Sequence, residues 1–220
     1  MGQLKTLISP AILALGLSSG TASATIIFSN DPSAVLPGGE INILFEAVEI
    51  GTTITGEVDH TGITAVFSSL TGQTLNQVHG QGQADIFNNT NPTGGTVNCA
   101  TDVNLCLTSM DFHLEGFTFG DFMVDLNFGV GTATVIATDN AGAVFQFQLG
   151  PGQNFFSLLA IDGQTITDVQ VFAPGGFNDF KQPRVSELAP ITTTLPEPGS
   201  LALLGGVLGA IGITARKRRQ

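Results

Sequence analysis

Tryptophan and tyrosine are absent from this 220-residue chain, cysteine occurs twice, and 7 basic residues face 18 acids. Each shortage excludes something. Phosphate recognition needs clustered Lys and Arg, so the composition argues against nucleic-acid binding. Two cysteines cannot build a disulfide-dense miniprotein or a zinc-finger array. Charged residues are 11% of the chain, against ~25% in an average domain. With 42% apolar residues, that is too hydrophobic for a disordered acidic tail. Sugar sites that stack on Trp or Tyr are also excluded, although 16 Phe remain.

The chain opens as a processing segment. Lys5 supplies a positive start, Leu7 to Leu17 is apolar, and Ala22-Ser23-Ala24 is a small-x-small cleavage site. Residues 1–24 therefore read as a secretory signal peptide, with a mature chain beginning at Thr25. Gly16-Leu17-Ser18-Ser19-Gly20 matches a hydrolase nucleophile pattern. That motif needs a strand–turn–helix setting, and here it lies in a segment that is removed.

The other end has three parts. Residues 191–199 form a linker containing Pro196-Glu197-Pro198, and Ser200 to Ala215 is uncharged. Arg216, Lys217, Arg218 and Arg219 lie within the tail 216–220. As a helix at ~1.5 Å per residue, 200–215 would reach roughly 24 Å, short of a ~30 Å hydrocarbon core. Snorkelling basic side chains can cover the difference, and the basic cluster would stay cytoplasmic. The two prolines hold the strip before the helix extended.

Pro-Glu-Pro, a Gly- and Leu-rich apolar run and an Arg-rich end resemble the PEP-CTERM sorting signal of Gram-negative bacteria. The resemblance implies a membrane-embedded exosortase, a cysteine transpeptidase, as processing partner. It would cut near Pro196, Glu197 and Pro198. The body would leave its transient inner-membrane anchor for the cell surface or an exopolysaccharide matrix. Asn154-Phe155-Phe156-Ser157-Leu158, Ile166-Thr167-Asp168-Val169 and Asp179-Phe180-Lys181-Gln182-Pro183-Arg184-Val185 look like the closing strands of such surface proteins. The bodies of those proteins are similar to carbohydrate-binding jelly rolls.

Between the ends, residues 25–190 read as all-β. Phe122, Val124, Leu126 and Phe128 alternate with Asp121, Met123, Asp125 and Asn127, and Phe145, Phe147 and Leu149 with Gln146 and Gln148. Period two marks strands with one buried face. Similar runs predict strands near 25–29, 41–47, 52–58, 63–67, 74–79, 83–87, 105–110, 112–119, 132–138, 155–161, 166–172 and 184–188. Turn signals separate them, Pro174-Gly175-Gly176 among them. So many short strands predict a two-sheet, jelly-roll-like β-sandwich.

Glu197 is the one acid outside the body. The other 17 acids face only Lys181 and Arg184, a formal charge of −15. Those two bases should pair with nearby acids such as Asp179. An exported chain meets an oxidising compartment, so Cys99 and Cys106 are expected to form a disulfide. His60, His79 and His113 are scattered. Asp59-His60 and His113-x-Glu115 suggest a metal or catalytic story, but no metal or catalytic spacing is present. The expectation is a non-enzymatic exported surface or matrix protein without a resident cofactor or metal site. A polysaccharide-binding sandwich with calcium as a bridging ion is the alternative, and a secreted hydrolase has least support.

Overall fold

The computed structural model describes residues 25–31, 36, 38–80, 83–91, 97–128 and 131–192. The expected signal peptide, the Pro-Glu-Pro strip, the 200–215 helix and the basic tail lie outside the described residues. Among the described residues, no helix is long and apolar enough to cross a membrane.

The described chain is all-β apart from a 3-10 turn at Val103–Leu105. Its strands are β1 (Thr25–Ser29), β2 (Ile41–Leu44), β3 (Thr53–Val58), β4 (Ile63–Ser68), β5 (Leu75–Gly80), β6 (Gln83–Asn88), β7 (Leu107–Leu114) and β8 (Phe117–Thr118). They continue as β9 (Asp121–Phe128), β10 (Ala133–Asp139), β11 (Val144–Leu149), β12 (Gly152–Ile161), β13 (Ile166–Phe177), β14 (Asp179–Ser186) and β15 (Ala189–Pro190).

Hydrogen bonding runs β1-β12-β9-β14-β2-β3-β4-β7-β13-β10-β11, with β5-β6 on β14 and β15-β8 on β7. The corner is β2: Ile41 and Asn42 pair with β14, and Ile43 and Leu44 with β3. The strands before it form a first sheet and those after it a second. The chain changes sheet at β4–β5, β6–β7, β8–β9, β9–β10, β11–β12, β12–β13, β13–β14 and β14–β15, so most pairings are non-local.

Phenylalanine joins the layers. Phe122 of β9 stacks on Phe112 of β7 at 4.9 Å, Phe180 of β14 meets Phe67 of β4 at 6.0 Å, and Phe28 of β1 stacks on Phe147 of β11 at 5.1 Å. The last contact brings the two ends of the hydrogen-bonded path together across one core. Phe carries no hydroxyl or indole N–H, so it fills this core without needing a buried hydrogen-bond partner.

Several strand limits differ from the sequence expectation: β2 stops at Leu44 and not at 47, β12 begins at Gly152 and not at 155, and β14 begins at Asp179 and not at 184. The break expected at Asp111 is absent: β7 runs through it, and the chain turns at Glu115-Gly116 instead. Asp111 keeps the alternation by facing away from the core. Pro174-Gly175-Gly176 lies inside β13, where the register shifts between Phe172 and Phe177. Pairing resumes because Gly176 accepts φ +80°.

Cys99 and Cys106 form the expected disulfide, with Cα atoms 5.8 Å apart. Gly176 lies beneath it, and a Cβ there would sit 2.8 Å from Cys106 Cβ. The Cys106 carbonyl accepts hydrogen bonds from Gln73 Nε2 at 2.8 Å and Asn88 Nδ2 at 3.0 Å. The bridge therefore fixes the β6–β7 connection onto β13.

Candidate ligand-binding face

In the first sheet, alternation buries Phe122, Val124 and Leu126 of β9, Phe156, Leu158 and Ala160 of β12, and Phe180 and Val185 of β14. Their neighbours must point outward. Register then sets those neighbours in rows across four strands. One row is Phe155–Asp125–Lys181–Asp85, on β12, β9, β14 and β6. The next is Ser157–Met123–Arg184–Asn42, on β12, β9, β14 and β2. Arg184 and Lys181, the only Lys or Arg residues in the body, thus stand on the same face. Between them β14 carries a bulge at Gln182, φ +52°. Pro183 follows there, where a missing N–H disturbs no regular pairing.

The electrostatics of this face are unbalanced. Lys181 Nζ lies 2.8 Å from Asp179 Oδ2 and 3.7 Å from Asp85 Oδ2. The ion pair with Asp179 meets the expectation for Lys181. Arg184 makes no ion pair among the described residues. Burial and the neighbouring Asp179 push the Asp85 carboxyl up to about 6, against the pull of Lys181. Burial also raises Asp179, again opposed by Lys181. Burial raises Asp121, whose carboxylate accepts a hydrogen bond from Ser186 Oγ, and Glu40 and Glu187 push the same way. Lys181 loses some basicity to burial, but Asp179 and Asp85 more than restore it.

Polar atoms concentrate here without protein partners. Asp85 Oδ1, Asp121 Oδ1, Ser157 Oγ, Asp179 Oδ1 and Arg184 Nε are all buried and have no hydrogen-bond partner among the described residues. Asp121 and Ser157 are fully buried although they point away from the core. Four of these five atoms are oxygens and one is a guanidinium N–H, so a ligand here needs donors and an acceptor together. Phe155, half-buried at the end of its row and outside the core cluster, adds an apolar ring.

The histidines divide differently. His60 occupies the left-handed tip of the β3–β4 turn at φ +58° and is fully in solvent, 3.4 Å from Asp59. His79 lies on β5, and its side chain is outside the described set. His113 does not meet Glu115, which is exposed in the turn after β7. It faces Asp111 instead, with Nδ1 3.2 Å from Oδ2, on the outer face of the second sheet. Asp168 of β13 joins them, brought alongside by the pairing of Val169 with Phe112 and Gln170 with Asp111. Sequence spacing missed this neighbour because 55 residues separate it from His113.

Two open recesses, of about 250 Å³ and 350 Å³, share no residue with either cluster. The first is lined by Glu46, Glu49, Thr55, Glu57 and Thr64, the second by Thr118, Asn140 and Thr165 among others.

No protein-family model matches the chain, and no curated protein matches it. Among solved structures, it is similar to family 29 carbohydrate-binding modules. One solved with mannohexaose is 12% identical, covers 75% of this chain and 89% of the module, with a TM-score of 0.23. Another, solved with cellulohexaose, is 14% identical over 76% of this chain and 88% of the module, also at 0.23.

Proposed function

We propose that this chain is an exported, non-catalytic surface or matrix protein whose jelly-roll-like sandwich binds extracellular polysaccharide on the outer face of its first sheet. The observation that supports this most is the concentration there of buried carboxylate, hydroxyl and guanidinium atoms without protein partners. A sugar hydroxyl donates and accepts at once. A polyhydroxylated chain along the rows can therefore donate to Asp85 and accept from Lys181 and Arg184, whose side chains are partly exposed, above the buried Asp121 and Asp179. An unpaired group of this kind costs ~1–3 kcal/mol, so a ligand that pairs the partly exposed Asp85 and Arg184 side chains binds favourably. Phe155 supplies the apolar contact that Trp or Tyr would otherwise give. Delivery follows the terminal segments: export by residues 1–24, then release at Pro196-Glu197-Pro198 by an exosortase.

Affinity electrophoresis tests the binding. The exported protein should be retarded in gels containing the producer's own polysaccharide. Arg184→Ala and Phe155→Ala should each abolish most of the retardation. Unretarded wild-type protein, or release of sugar over time, would contradict the proposal; the second result would favour a hydrolase.

A further inference from the structure

We propose that Asp111, His113 and Asp168 form a binding site for a divalent transition-metal cation of the zinc or manganese class. The site lies on the outer face of the second sheet, away from the sugar-binding face, and does not depend on that reading.

The geometry comes from two rigid neighbouring strands. Asp111 and His113 are i and i+2 on β7, so both point outward, while Phe112 between them is buried in the core. Asp168 reaches the same spot from β13. One ligand atom from each residue lies within 4.8 Å of the other two, near enough for one ion to touch all three. A nitrogen and two carboxylate oxygens suit zinc, manganese, cobalt or nickel, whereas calcium takes six to eight oxygens. Gln170 Nε2 donates to Asp111 Oδ1 at 3.3 Å. That bond fixes the carboxylate's orientation and leaves Oδ2 turned to His113, as an outer-sphere partner does in metal sites.

The same convergence sets two carboxylates side by side. The Asp111 side chain is 13% exposed, and a second carboxylate, that of Asp168, stands on the adjacent strand. Like charges in neighbouring cross-strand positions destabilise a sheet. The second sheet has no positive side chain to offset them, because Lys181 and Arg184 are the only Lys or Arg residues in the body and both are on β14 of the first sheet. A divalent cation between the two carboxylates relieves this repulsion. His113 gives the cation a nitrogen ligand.

The test uses the full, tag-free chain in detergent, stripped with chelator and titrated with zinc by calorimetry and with cobalt by visible absorption. One zinc per chain should bind, cobalt should give the absorption of a bound nitrogen- and oxygen-ligated ion, and zinc should raise the melting temperature. Asp168→Asn removes a repelling charge without changing shape, so this variant should stay folded while losing affinity by about tenfold or more. His113→Ala should do the same and abolish the cobalt spectrum. Glu115→Gln, in the adjoining turn, should bind as the wild type does. Three results would overturn the site: no binding, unchanged binding by both triad variants, or equal stabilisation by calcium that persists in them. Loss of polysaccharide retardation alone would leave this inference untouched.

Discussion

At the scale of single residues, two positions carry clear mutational consequences. Gly176 combines a left-handed backbone with a disulfide packed where its Cβ would be. Gly176→Ala should cost more than about 1 kcal/mol, read from the urea midpoint of the oxidised protein. Replacing both Cys99 and Cys106 by Ser should cost about 2–3 kcal/mol, as expected for a short closed loop. Asp85 gives a dependence on pH. Its folded carboxyl is at about 6 and its ordinary value is 3.8, so the fold holds that proton more tightly than the unfolded chain does. The folded state therefore gains stability as pH falls through this window and loses it as pH rises from about 4 to about 6. Melting temperatures between pH 4 and 7 should show this slope, and Asp85→Asn should flatten it. The Lys181–Asp179 pair was legible because the body offers so few bases. The positions of Asp85 and Asp125 beside that lysine were not, since β6 and β9 reach it only through pairings across the fold.

Strands reverse the roles of neighbouring residues, and the pattern of reversal is what the sequence displays best. Phe112 touches Phe67, Phe119 and Phe122 inside the core. Phe112→Ala should cost ~3–5 kcal/mol. Phe155 lies outside the core cluster, so Phe155→Ala should cost far less than Phe112→Ala. Chemical denaturation of the two variants checks the contrast, and equal losses would contradict the assignment of faces. Alternation in Asp121–Phe128 and Val144–Leu149 was readable because one face is apolar and one polar. It failed at the end of β13, where Pro174-Gly175-Gly176 has turn composition but the pairing continues through a bulge. It also misled at Asp111, a polar residue inside an apolar run that faces away from the core and does not end the strand. Neither candidate cluster is local: each is assembled by register between strands distant in sequence, which composition and spacing do not encode.

For the whole molecule, the proposed function joins a sandwich with an unevenly charged surface to terminal segments that would direct its export. The body carries −15 with its two bases on one strand, so the repulsion of the acidic surface and the upward-shifted aspartates act in the same direction, favouring the fold in mild acid. Sorting is testable separately. Changing Pro196, Glu197 and Pro198 to Ala leaves the signal peptide and the apolar run intact. The variant should accumulate uncut in the inner membrane, while mass spectrometry of the wild type should find a C-terminus near Pro196 to Pro198. A wild-type chain still ending at Gln220 would contradict the processing. Binding by the first-sheet face is the central claim, and nuclear magnetic resonance of the labelled body with oligosaccharides cut from the producer's polysaccharide tests it most directly. The account predicts amide shifts concentrated in β9, β12 and β14 around Phe155, Ser157, Lys181 and Arg184; shifts confined to β7, β10, β11 and β13, or none at saturating sugar, would contradict it.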